Sequence, residues 1–255
     1  MIKASIIAGT IAIATVSSSA FAGFINGDFE QGNTTGWTVG TGNRATILNA
    51  NLDPMAFLPG GSKFNANRDN SAIVSGGFAP HTDNQLKQVY AGNHSMRVED
   101  VLNGGYASVI TQKVGKYQDK DIFFAWAAVL EGAHDSREAA TFKLVLRDET
   151  RGLNLITREY NADQAGGGVD KLFSKSTDGY FYTSWQVEQL SLDAAAQGND
   201  ISLTLLAADC SQTGHGGWVY LDGFGQSAPS DVPAPGVLAL MGLGLCGLAA
   251  ARRKR

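Results

Sequence analysis

Cysteine is nearly missing from this chain: 255 residues hold two, Cys210 and Cys246. Cys246 lies in an apolar C-terminal run, so the rest of the chain has one thiol, no internal disulfide framework, and must draw its stability from core burial. Histidine is almost as scarce. His81, His94, His134 and His215 are scattered, with no H-E-x-x-H and no paired metal spacing. No G-x-S-x-G nucleophile elbow occurs. Basic side chains are short in supply between the ends: with Lys3 and Arg252–Arg255 set aside, 15 Lys and Arg face 24 Asp and Glu, a net charge of −9. Such a surface repels phosphate backbones and anionic lipid, which excludes nucleic acid as a partner. A single G-x-G-x-x-G string, Gly242 to Gly247, follows no strand and opens no βαβ unit, so it is no dinucleotide site.

The two ends read as processing segments. Lys3, an apolar run from Ala4 to about Val16, small residues from Ser17 and then Ala20-Phe21-Ala22 make a signal helix over 1–22, with cleavage by signal peptidase after Ala22. At the other end a linker, 226–231, precedes Val232, Pro233 and Pro235. Gly236 to Ala251 follows without a charge, and Arg252, Arg253, Lys254 and Arg255 close the chain. As a helix, 236–251 reaches roughly 24 Å, a short transmembrane segment whose basic tip stays cytoplasmic. This layout of Val-Pro-x-Pro, apolar helix and basic tip is similar to the PEP-CTERM sorting signal of Gram-negative bacteria, with Ala234 where that pattern usually has Glu. The resemblance implies recognition by an exosortase-like membrane enzyme. It also implies export across the inner membrane, a transient anchor, and delivery to the cell surface or extracellular matrix.

Between the ends, hydrophobicity alternates with a period of two. Phe142, Leu144 and Leu146 share one face of a run whose other face carries Lys143 and Arg147; 201–205 and 95–99 alternate likewise. Ile122 to Leu130 is almost continuously apolar, as expected of a strand covered on both faces. Gly- and Asn-rich turns separate these runs, and no long helical period appears. The expectation is an all-β, jelly-roll-like antiparallel β-sandwich over 23–225. Two stretches, 49–86 and 161–183, look like insertions, poor in clear strands and either functional or mobile.

A second resemblance runs through this body. "INGDFEQGNTTGWTV" (25–39), "GNHSMRVED" (92–100), "ASVITQKV" (107–114), the 122–130 run and "GGWVYLDGFG" (216–225) are similar to the strands of galactose-binding-like jelly rolls, among them carbohydrate-binding modules. In that family the first and last strands lie together with a structural calcium between them. Carried over to matching positions, this implies Glu30 and Asp222 as ligands, with Asp28 as a third; calcium needs six to eight oxygens, so carbonyls and water must supply the rest. Sugars are held on aromatic platforms. Trp126 and Trp37 read as core, which leaves Tyr180, Tyr182 and Trp218 as candidates for polysaccharide contact. No carboxylate sits in a catalytic motif, so no catalytic residue is named. The expected function is a non-catalytic binding or structural module of the cell surface, associated with exopolysaccharide. Two alternatives stay open: a glycan-active hydrolase or lyase, and a structural surface or adhesion subunit.

Overall fold

The computed structural model describes residues 23–132, 134–163 and 171–225. The expected signal helix with Ala20 and Ala22, the linker, and the sorting segment with Val232, Pro233, Pro235 and Arg252 to Arg255 lie outside the described residues. Among the described residues no helix is long and apolar enough to cross a membrane.

In chain order the strands are β1 (Thr38–Asn43), β2 (Ala72–Ser75), β3 (His94–Val98), β4 (Tyr106–Val114), β5 (Asp121–Leu130), β6 (Thr141–Asp148), β7 (Leu153–Asn161), β8 (Phe173–Lys175), β9 (Phe181–Thr183), β10 (Gln186–Ser191), β11 (Ile201–Ala208) and β12 (Gly217–Gly225). They form two antiparallel sheets. One has five strands in the order β1-β4-β11-β6-β7. The other has seven in the order β2-β3-β12-β5-β9-β8, with β10 also paired to β5. From β3 to β6, and again from β10 to β12, each strand lies in the sheet opposite its predecessor. This alternation makes the sandwich jelly-roll-like, as expected.

The period-two pattern sets the core. Phe142, Leu144 and Leu146 of β6, Leu203 and Leu205 of β11, Met96 and Val98 of β3, and Phe124 and Trp126 of β5 meet between the sheets. Ser202 and Lys143 take the outward positions of their strands. Several strands are apolar outward as well. Ala127 and Val129 of β5 and Trp218 and Tyr220 of β12 share a buried cluster with Ala79, Leu86 and Tyr180. On the opposite sheet, Val109 of β4 and Leu206 of β11 lie under Leu52, Phe57 and Leu58.

The stretch 49–86, expected as a strand-poor insertion, is therefore a folded cover. Its first half makes two 3-10 turns, Asn49–Asn51 and Pro54–Phe57, and lies on the five-stranded sheet. Its middle supplies β2 to the edge of the larger sheet, and its end lies on that sheet's outer face. Contact is close. A Cβ on Gly42 would stand 1.9 Å from the carbonyl oxygen of Lys63, and one on Gly40 would stand 2.2 Å from that of Phe57. Asn65 N–H donates to Thr41 O at 2.9 Å, so the cover also pairs the free edge of β1. The second expected insertion, 161–183, contributes β8 and β9 to the larger sheet.

The expected first strand, 25–39, is also corrected. Asn26, Phe29, Gly32 and Gly36 all have positive φ, which breaks extended structure, and the strand begins only at Thr38. It pairs with β4, in the other sheet from β12. The turns before it nevertheless reach the last strand, since Phe224 N–H donates to Gly27 O at 2.9 Å.

One buried polar network ties the cover to both sheets. Glu99, fully buried just after β3, accepts from Asn70 of the cover and, at 2.8 Å, from Ser108 Oγ of β4; Ser108 meets Thr41 Oγ1 of β1 at 2.7 Å. Burial pushes Glu99 above the ordinary carboxylate range against the pull of these donors. Asp209 is raised for the same first reason, then by the charge of Glu99.

Gly42→Ala forces the cover off β1 and is expected to cost about 1–3 kcal/mol, the usual toll of overpacking; a urea midpoint equal to wild type counts against the close approach. Because the folded-state pKa of Glu99 is raised, its contribution is full below the unfolded value of about 4.3 and is lost as pH rises through the folded value. The urea midpoint of the full chain should therefore be higher at pH 5 than at pH 8, and Glu99→Gln should shrink that difference; an unchanged difference would remove Glu99 as its source.

Candidate functional site

The turns over 26–30, the loop 90–93 and the end of β12 enclose a cleft of ≈ 420 Å³ lined by Asn26, Asp28, Glu30, Gly92, Asp222 and Phe224, among others. The three acidic residues singled out in the sequence, Asp28, Glu30 and Asp222, thus share one cavity.

Local chemistry explains their placement. Asn26 donates to Asn33 O at 2.7 Å and accepts from Gln31 N–H at 3.2 Å, folding the acidic loop back on itself. Phe29 is fully buried and stacks on Trp37 at 5.2 Å, which drives the flanking Asp28 and Glu30 outward. Trp37 Nε1 donates to Asn26 O at 3.0 Å and closes the unit. Ile25 is clamped by the Gln112 amide of β4, with bonds of 2.7 and 2.8 Å.

Glu30 Oε1 accepts the N–H groups of Asn93 at 2.7 Å and His94 at 2.9 Å, and Oε2 accepts Asn93 Nδ2 at 3.0 Å. The loop can wrap the carboxylate this closely only because residue 92 is glycine. Gly92 has a φ of +72°, and a Cβ there would stand 2.4 Å from Glu30 Oε1. Burial works against ionisation of Glu30, but these donors together hold its pKa below the ordinary value. Asp222 has the opposite balance. It is 1% exposed, and burial pushes it up to about 7 although Oδ2 accepts Tyr90 and Ala91 N–H and Oδ1 accepts Gly223 N–H; the charge of Glu30 adds to the rise. Every side-chain donor in the cleft is oxygen, the chemistry that suits Ca²⁺.

The expected aromatic platforms lie elsewhere. Trp218 is fully buried, its Nε1 bonded to Tyr220 Oη at 3.2 Å, so it shows no ring face to solvent; the cover accounts for that. Tyr180 is 8% exposed, stacked on His81 at 4.0 Å and held near Trp218. Tyr182 is half-buried against the same cluster. Trp126 and Trp37 are core, as read. Sequence reasoning passed over Tyr90 and Trp185, both half-buried, whose rings lie 5.6 Å apart at 58° on the larger sheet's outer side. Trp185 Nε1 is anchored to Lys87 O at 2.9 Å. The signal was present: Trp185-Gln186-Val187-Glu188 alternates, and 48% exposure of Val187 marks one outward side of that run.

Three other acidic side chains are taken up by local structure. Asp148, fully buried, pairs Arg151 at 2.6 Å; Asp135 caps the turn at Arg137; Glu149 accepts from Ser202.

Among curated proteins, none matches the sequence. Among solved structures, the chain is similar to a family 61 carbohydrate-binding module in complex with β-1,4-galactotriose, at 12% identity and a TM-score of 0.42, covering 80% of this chain and 96% of that one. It is also similar to a family 28 module specific for non-crystalline cellulose, at 12% identity and a TM-score of 0.39, covering 80% and 95%. A third likeness is to a family 22 xylan-binding domain, at 13% identity and a TM-score of 0.33, covering 84% and 100%. Residues 231–255 match the PEP-CTERM protein-sorting motif, which implies export and a cell-surface, extracellular or membrane-anchored location.

Proposed function

We propose that the chain is an exported, non-catalytic glycan-binding component of a Gram-negative cell surface or extracellular polysaccharide. In this reading a signal peptidase removes 1–22, the C-terminal segment anchors the chain briefly, and an exosortase releases it. The sorting match at 231–255 supports the delivery. The observation that carries glycan binding is the half-buried Tyr90–Trp185 pair at the margin of the cover on the larger sheet's outer side, beside the exposed Val187 and with Tyr182 packed against the same outer cluster. A tilted aromatic pair offers an apolar face to a pyranose while neighbouring polar groups orient it.

The same proposal places a structural calcium at Glu30, Asp222 and Asp28. Each of the first two carboxylates accepts three N–H bonds, which leaves lone pairs for a cation. The ion would cross-link the turns over 26–30, the 90–93 loop and the end of β12.

One observation favours the runner-up, a hydrolase or lyase. Glu30 and Asp222 have protonation equilibria pushed in opposite directions within one cleft, the pattern of an acid–base pair. Against it, Asp222 is 1% exposed, too deeply buried to reach a substrate bond lying in the cleft.

Saturating Ca²⁺ should raise the melting temperature of the full chain by roughly 5–10 °C, the size expected at about a hundredfold excess over Kd for this length. Chelator should reverse the rise and Glu30→Gln should abolish it; a melting temperature indifferent to Ca²⁺ would remove the metal from the proposal. In a panel of soluble polysaccharides, tryptophan fluorescence should report binding of at least one, weakened about tenfold or more by Trp185→Ala with the fold intact by circular dichroism. Binding unaltered in that variant would move the glycan surface elsewhere, and glycan turnover by wild type would favour the enzyme.

A further inference from the structure

Cys210, whose role the sequence left open, lies at the opposite end of β12 from the acidic cleft, in a loop that is tightly fixed. Asp209 clamps the loop at both ends: Oδ1 accepts Gly217 N–H at 3.2 Å, and Oδ2 accepts Gly104 and Tyr106 N–H at 3.0 and 3.2 Å. Within the loop, Cys210 N–H donates to His215 O at 2.9 Å. The loop docks on the segment after β5 through reciprocal bonds: Gly216 N–H to Glu131 Oε2 at 2.8 Å, and Glu131 N–H to Gly216 O at 2.9 Å. That docking brings His134 against His215, ring centroids 4.5 Å apart.

We propose that His134, Cys210 and His215 form a binding site for a thiophilic divalent cation of the Zn²⁺ class, separate from the calcium cleft. One ligand atom from each residue lies within 4.8 Å of the other two. Tetrahedral Zn²⁺, with bonds of about 2.0–2.1 Å to nitrogen and 2.3 Å to sulfur, needs ligand atoms roughly 3.5 Å apart, within reach of small side-chain rotations. Two further features suit a metal rather than a packed cysteine. His215 Nδ1 is buried and has no hydrogen-bond partner among the described residues, a penalty that a metal bond would relieve. Cys210 is fully buried, yet its sulfur accepts Gly214 N–H at 3.2 Å, a polar contact that fixes it within the loop carrying His215.

One sulfur and two imidazoles select a borderline or soft ion over Ca²⁺ or Mg²⁺, whose ligands are oxygens. Three protein ligands define three corners of a tetrahedron, and His134 is exposed, so water or an external donor takes the fourth. A surface protein with such a site would bind a trace metal, or use one to bridge to a donor on a neighbouring molecule.

The test uses the full chain carrying Cys246→Ser, so that Cys210 is the sole thiol. Titration with Zn²⁺ against a chromophoric chelator should show one equivalent bound, and Co²⁺ should give a thiolate-to-metal charge-transfer band. Cys210→Ser should abolish the band. His134→Ala, at an exposed position that leaves the fold undisturbed, should weaken Zn²⁺ binding roughly tenfold or more. Glu30→Gln should change neither. Failure of the parent to bind Zn²⁺ in the presence of millimolar Ca²⁺, a band that survives Cys210→Ser, affinity unmoved by His134→Ala, or loss in Glu30→Gln would each overturn the site.

Discussion

Both sheets of this sandwich have strands that are apolar on two faces, and the rest of the fold answers to that constraint. β5 sends Phe124 and Trp126 inward and Ala127 and Val129 outward; β11 sends Leu203 and Leu205 inward and Leu206 and Ala208 outward. A two-layer sandwich buries one face of each sheet. The second faces need a further layer, and the chain supplies it with one excursion that lies first on the smaller sheet and then on the larger. The cover stops where the outward positions turn polar, at the Thr111–Thr204 pair, whose hydroxyls meet at 2.8 Å.

This arrangement determines what remains for function. Trp218 and Tyr220, which would form an aromatic surface on a bare sheet, are roofed by Ala79 and Leu86. The proposed binding features lie at the margins of the cover. These are the acidic cleft where the 26–30 turns meet β12, the Tyr90–Trp185 pair where the cover ends, and the Cys210 loop at the far end of β12. β12 links the first and last of these, with Asp222 near one end and the clamped Gly217 at the other. Its neighbours β3 and β5 fix it on both sides, so the two candidate metal sites are built on one of the most constrained strands.

Much of this was legible in the sequence, and the reasons differ by element. β6 and β11 follow directly from hydrophobic periodicity and β5 from its continuous apolar run, whereas β12 was read through the family resemblance. Glu30 and Asp222 were found through family resemblance, and the structure brings them into one cleft although 192 positions separate them. β2 was missed because its four residues, Ala72 to Ser75, are stabilised by the edge of β3 rather than by a pattern of their own. The Trp218 platform failed for a related reason: alternation says which residues point outward, not that another segment lies above them. The histidine–cysteine cluster joins residues from two loops 76 positions apart, with no local spacing to betray it.

Residues 49–86, with the Gln88 bond that follows them, form a cooperative layer of the fold and not a loop laid over a finished sandwich. Native-state hydrogen exchange on the full chain tests it at the amides that lock the cover: Lys63 bonded to Ala56 O, Asn65 to Thr41 O, Ala79 to Leu86 O and Gln88 to Gly77 O. If the cover is integral, these amides exchange by the same global opening as those of β4 and β5, with one shared denaturant dependence. If they exchange orders of magnitude faster, through local openings that leave β4 and β5 protected, the cover is dispensable and the account of the fold is wrong.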